Sequence, residues 1–253
     1  MKRVSLILAT VVLLAAPAVH PARVTAFDVA ASQNAARVSA VTVDGADIHW
    51  TSRGTGAQTV IFVHGWTCDE SSWREQVPAI SQRYRVITLD LPGHGQSGMP
   101  AGGMFSMELF ARAVEAVRAA TGVDRAVLVG HSMGTPVIRK YALMYPTRVA
   151  GLVLVDGLVQ IADAGASGRS GAPPARTMTG PARENMIRGM FSSITSPELQ
   201  QHILKMMMSA PEATASGAMA ATQDRSVTTR FMRCMPPRTE RFGPELAAAA
   251  SIV

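Results

Sequence analysis

The chain has 253 residues, 47% hydrophobic and 17% charged, with a formal net charge of +6. That length and apolar content suit one α/β domain with a sizeable core, large enough to carry an inserted lid. The late arginines Arg225, Arg230, Arg233, Arg238 and Arg241 are scattered rather than set on one helical face with interleaved aromatics, which argues against a nucleic-acid partner.

Residues 1–26 read as a secretory signal: Lys2 and Arg3, then an apolar run over 4–16, with Ala16-Pro17-Ala18 or Val24-Thr25-Ala26 as cleavage site. The run is too short and too early for a membrane span. A secreted or periplasmic protein with no stable span after cleavage is expected, an uncleaved anchor being the alternative. A secreted protein could join Cys68 and Cys234, the two cysteines, but one pair is weak evidence for a disulfide framework; Cys68 reads as a small packed residue near the site. No C-x-x-C or H-E-x-x-H spacing points to a metal, and no cofactor is implied.

The alternation over 38–43, the Asp44-Gly45 turn and the run 48–51 predict a hairpin. A continuous apolar run at 59–63 predicts a buried strand, bounded by His64-Gly65. A helical pattern covers 71–82, with Trp73, Val77 and Ile80 on one side. Residues 84–89 form the next strand, and 107–121 an amphipathic helix with Ser106 as cap and Gly122 as stop. Strand 125–129, helix 135–145 and strand 151–155 complete an alternation that predicts a mostly parallel sheet with helices on both faces. Beyond Gly157, 163–181 is a loop rich in Gly, Ala, Ser and Pro, and 182–191, 197–208 and 213–222 predict helices without intervening strands. They read as a small helical lid, with Met186, Met190, Met206, Met207, Met208 and Met219 either lining a pocket or making ordinary packing contacts. The chain divides into a signal (1–26), a core (38–157), a lid (158–225) and an atypical tail (226–253).

Three segments carry the chemistry. Gly130-His131-Ser132-Met133-Gly134 is a G-x-S-x-G motif between an apolar strand and a helix. This is a nucleophile elbow, where the glycines are needed because a side chain would collide as the strand turns back into the helix. His64-Gly65-Trp66 follows the third strand, and Asp90-Leu91-Pro92-Gly93-His94-Gly95-Gln96-Ser97 follows the fourth. In this order and spacing the chain resembles the α/β-hydrolase fold family. The resemblance implies acyl transfer through Ser132, with the backbone N–H groups of Trp66 and Met133 as oxyanion hole. His64, Asp90 and His94 would shape loops, and the His131 ring would point sideways, away from a base's position. Serine rather than aspartate at the elbow points to esters, amides, thioesters or C–C hydrolysis, and the methionine-rich lid to a small, hydrophobic, ester-like substrate.

A serine hydrolase of this fold needs an acid and then a histidine after the serine. Of His20, His49, His64, His94, His131 and His202, only His202 follows Ser132, and it falls in a lid helix, so the catalytic histidine is unidentified. Asp156, ending the sixth strand, is the candidate acid, with a plain strand-end loop residue as the alternative. A seventh strand is expected near 230–239, yet that stretch has no apolar run and contains Pro236-Pro237. A frameshift near residue 230 or a truncation is therefore expected, with the C-terminal strands missing. Three readings follow: a secreted ester or amide hydrolase, a non-catalytic binding protein that keeps the pocket, or an incomplete fragment.

Overall fold

The computed structural model describes residues 37–157 and 179–222. The expected signal (1–26) and the tail, with Cys234 and the late arginines, lie outside the described residues, as does most of the predicted loop 163–181. Strands β1 (Arg37–Val43), β2 (Ala46–Arg53), β3 (Thr59–Val63), β4 (Arg85–Leu89), β5 (Ala126–His131) and β6 (Val149–Val155) form one sheet in the order β1-β2-β4-β3-β5-β6. β1, β2 and β4 pair antiparallel; β4, β3, β5 and β6 pair parallel. The hairpin turns on Asp44 and Gly45, both at positive φ (47° and 80°), as a two-residue turn matched to strand twist requires.

Helices α1 (Gln76–Ile80), α2 (Met107–Ala120) and α3 (Gly134–Met144) cover the sheet. Because successive side chains of a strand point to opposite faces, the apolar run 59–63 feeds two cores. Ile61 and Val63 join Ile87, Leu89 and Leu128 against Phe110 and Val114 of α2 and Val137 and Ile138 of α3. Val60 and Phe62 join Val86, Val127, Val129 and Val155 against Trp73, Val77 and Ile80. Each such side chain, fully buried, stabilises by roughly 1.5–3 kcal/mol. The expected helix cap is present: Ser106 Oγ accepts from Leu109 N at 3.0 Å.

The single helix expected over 71–82 is instead a 3-10 turn, Glu70–Trp73, followed by α1. Pro78 explains the correction: it lacks an N–H and its ring would clash with the carbonyl four residues back, so it tolerates only the first turn of a helix. Trp73, Val77 and Ile80 are nonetheless all buried on one side, as their spacing predicts.

The lid comprises α4 (Gly180–Arg188), α5 (Pro197–Ser209) and α6 (Glu212–Ala221). Ser196 caps α5 through Leu199 N, with Pro197 at the first helical position. Met207 is buried, and Met186, Met206, Met208 and Met219 pack on the core that α2 and α3 share; Met190 is exposed. Among the described residues no helix is long and apolar enough to cross a membrane.

Candidate active site

The carboxyl ends of β3, β5 and β6 meet at Ser132. Its φ is +48°, a left-handed conformation that costs a non-glycine residue roughly 1–2 kcal/mol. The turn is held by Ser132 N donating to Val155 O and Thr135 N donating to Ser132 O, each at 3.0 Å. A Cβ on Gly130 would lie 2.5 Å from Gly134 O, and one on Gly134 2.3 Å from Val63 O. Both glycines are thus required by backbone approach, as the motif predicts. A Cβ on Gly65 would lie 3.3 Å from Ser132 Cβ, so the loop after β3 passes directly over the serine.

Left-handed non-glycine residues concentrate at this edge. Besides Asp44 of the hairpin, the described residues have three: Thr67 (φ 54°), Ser132 and Asp156 (φ 42°), which end or follow β3, β5 and β6. Strain of this kind persists where surrounding structure over-determines it, and it clusters at functional turns.

The loop over Ser132 is set by His64. Its ring is fully buried, Nδ1–H donates to Gly65 O at 2.8 Å, and Nε2 accepts from Leu91 N at 2.9 Å. These partners fix the neutral tautomer, and burial pushes its pKa down to about 4. In a trans peptide the C=O and N–H point in opposite directions. Holding Gly65 O therefore also aims the Trp66 N–H, the expected oxyanion donor. Among the described residues neither the Trp66 nor the Met133 N–H is paired with an acceptor.

The loop after β4 is equally structural. Asp90 is buried and accepts from Glu70 N at 2.7 Å and Gln96 N at 2.8 Å, while burial pushes its carboxyl up to about 6. A Cβ on Gly95 would meet Asp90 Oδ2 at 2.3 Å. His94 Nδ1–H donates to Pro92 O at 3.0 Å, and burial drives its pKa down to about 3. Cys68 is a free, buried thiol pushed up to about 12 by burial, so it stays protonated and packed.

His131 turns its ring toward Trp73, edge-on with centroids 6.3 Å apart, on the α1 side of the sheet. Burial lowers its pKa, and the Asp156 carboxylate opposes that shift. Asp156 is exposed at the end of β6. His202 lies on the exposed side of α5. Among the described residues no histidine is hydrogen-bonded to Ser132, and no three His, Cys, Asp or Glu side chains cluster as a metal site.

Sequence reading passed over Arg183 and Ala215. The Trp66 indole Nε1–H donates to Ala215 O at 2.8 Å, and the Arg183 guanidinium lies over its ring, 5.9 Å from the centroid. Thr214 Oγ1 donates to Gly93 O at 2.9 Å, a second tie between α6 and the loops.

A family model described as alpha/beta hydrolase fold matches residues 58–174. The chain has the α/β-hydrolase fold. It is 38% identical over 114 residues to the dihydrolipoyllysine-residue acetyltransferase component of the acetoin cleaving system of Cupriavidus necator, covering 45% of this chain and 30% of that protein. It is 33% identical over 114 residues to 2-hydroxy-6-oxononadienedioate/2-hydroxy-6-oxononatrienedioate hydrolase 1 of Dechloromonas aromatica, covering 44% and 39%. The matched segment thus spans less than half of these relatives' length. Among solved structures, the esterase RhEst1 from Rhodococcus sp. superposes with a TM-score of 0.59 and 29% identity over 72% of each chain.

Proposed function

We propose that this α/β-hydrolase carries an esterase-type site in which Ser132 is the nucleophile. Ser132 Oγ attacks the ester carbonyl carbon, the carbonyl electron pair moves onto oxygen, and the Trp66 and Met133 N–H groups stabilise the oxyanion. Collapse expels the alcohol, which carries off the serine proton, and water then hydrolyses the acyl-enzyme. The observation that carries this reading is the left-handed Ser132 lying under Gly65 at the carboxyl edge of the sheet. The neutral, doubly hydrogen-bonded His64 and the free N–H groups support the oxyanion hole. Asp156 is the proposed acid. The methionines of the lid favour a small substrate with a hydrophobic acyl group, and the basic-then-apolar pattern of residues 1–26 favours export to a secreted or periplasmic location.

A second reading rests on a specific observation: the described residues bring no base to Ser132, and His202 faces outward. A protein that keeps the pocket without the base binds its ligand rather than turning it over. Hydrolysis of a short-chain p-nitrophenyl ester by the purified chain, beside its Ser132→Ala variant, separates the two. Turnover that vanishes in the variant establishes the esterase; equal background rates in both overturn it in favour of the binder.

A further inference from the structure

Trp66 stands between the lid and the nucleophile turn. The peptide that carries its N–H is anchored at the carbonyl end by His64 Nδ1 on Gly65 O. Gly65 cannot help with a side chain, since a Cβ there would lie 3.1 Å from His131 Nδ1 and 3.3 Å from Ser132 Cβ. The other end of the peptide is therefore anchored by the Trp66 side chain itself. That indole is buried, hydrogen-bonded to Ala215 O of α6 at 2.8 Å and covered by Arg183 of α4.

Arg183 is an unusual residue to find there. It is 2% exposed, and among the described residues no carboxylate lies within ion-pair distance of it. Its Nη1 donates to Ala210 O at 2.8 Å and its Nη2 to Met207 O, carbonyls at the end of α5 that have no further helix to bond to. The remaining charge faces the indole, whose π-face attracts a cation. An apolar side chain would fill the same space without desolvating a cation. One guanidinium and one indole thus join α4, α5 and α6 to the loop after β3.

We propose that Arg183 is a positioning residue: through the Trp66 ring it holds the oxyanion N–H in place, so the hole is assembled only when the lid is seated. The proposal rests on the esterase reading of Ser132. A stacked, forked guanidinium has no equivalent in lysine, which keeps the charge but not the planar geometry.

The test uses the full chain and its Arg183→Met and Arg183→Lys variants. The first readout is the rate at which Ser132 is labelled by an alkyl fluorophosphonate. In that reaction the Oγ–P bond forms, the P–F bond breaks, fluoride leaves and the hydroxyl proton passes to water, with the phosphoryl oxygen in the oxyanion hole. The second readout is Trp66 emission, taken as the difference between each protein and its Trp66→Phe counterpart. Arg183→Met is expected to label about 10 to 10² times more slowly, the loss typical of an ångström-scale misplacement. Arg183→Lys is expected to fall between it and the parent, and Trp66 emission to shift to the red in both. Labelling of Arg183→Met at the parental rate overturns the proposal. Should Arg183→Met fail to melt cooperatively, Arg183→Lys decides: slower labelling upholds the proposal and an unchanged rate overturns it. A parent chain that does not label refutes the serine reading instead, and emission then decides the coupling alone. A red shift upholds it, and an unchanged spectrum overturns it.

Discussion

Gly134→Ala is the sharpest probe of the elbow, because its effect comes from space and not from backbone conformation. Gly134 is the first residue of α3 and does not adopt a positive φ. A Cβ there would sit 2.3 Å from Val63 O, 3.0 Å from Val63 C and 2.9 Å from His64 O. Comfortable heavy-atom contacts are nearer 3.5 Å, so the overlap exceeds about 1 Å and falls on main chain that cannot rotate away. Relief requires α3 to back off β3, which strains the sheet that carries Ser132. Overpacking of a close-packed interior costs about 1–3 kcal/mol, and a main-chain clash belongs at the upper end. Alanine returns up to about 1 kcal/mol through its better helix propensity, leaving a net loss of about 2 kcal/mol. At roughly 2–4 °C per kcal/mol for a chain of this size, Tm should fall by about 4–8 °C. Gly189→Ala is the control: its Cβ would meet only Asn185 O and Met186 O at 3.4 Å, an ordinary contact. Thermal melts followed by far-ultraviolet circular dichroism compare the two. If Gly134→Ala melts with Gly189→Ala, the close approach of α3 to β3 is not what demands the glycine.

Ser132→Gly should remove the proposed nucleophile and yet stabilise the fold. It relieves roughly 1–2 kcal/mol of left-handed strain against about 0.5–1 kcal/mol of added chain entropy in the unfolded state, and a lowered Tm would contradict this. Acidification should weaken the protein through His64 and His94, whose native pKa values of about 4 and about 3 lie below the ordinary histidine value of 6.5. The unfolded chain then binds more protons, so their stabilisation is complete above pH 6.5 and is lost progressively as pH falls toward 4. Asp90, raised from 3.8 to about 6, acts in the opposite sense, losing stabilisation as pH rises through that range, but it is one group against two. The urea midpoint should therefore be lower at pH 4.5 than at pH 7; a flat or rising midpoint would show that the two rings are not buried neutral.

The parallel core was legible because its strands are continuous apolar runs and its turns carry glycines at fixed spacing. The same local signals placed the strand ends less well. β5 continues to His131, beyond the expected end at 129, because Gly130 and His131 pair with Leu154 and Val155; a ladder, not a propensity, makes them strand. The break within 71–82 was written at Pro78, outweighed by the helical spacing of Trp73, Val77 and Ile80. Of the site, the residues on the three loops could be named from their motifs, since those motifs are turn chemistry within a few residues. Arg183 could not. In sequence it is one more arginine on an amphipathic helix, and its partners Trp66, Met207 and Ala210 are brought to it only by tertiary packing. The left-handed Thr67 also leaves no local trace, because a β-branched residue rarely adopts a positive φ.

The lid shares its interior with the sheet. Ile187, Met207, Ala215 and Ala218 belong to the same buried cluster as Phe110, Val114, Val137 and Ile138, and Gly217 lies so close to Phe105 that a Cβ would meet that ring at 2.3 Å. The three helices are therefore not a detachable accessory. A graft of another relative's lid onto this scaffold would leave Phe105 and Phe110 facing mismatched neighbours, and substrate preference and fold stability would have to change together. Diversification of such a site proceeds most readily by residues that touch the ligand but not this seam.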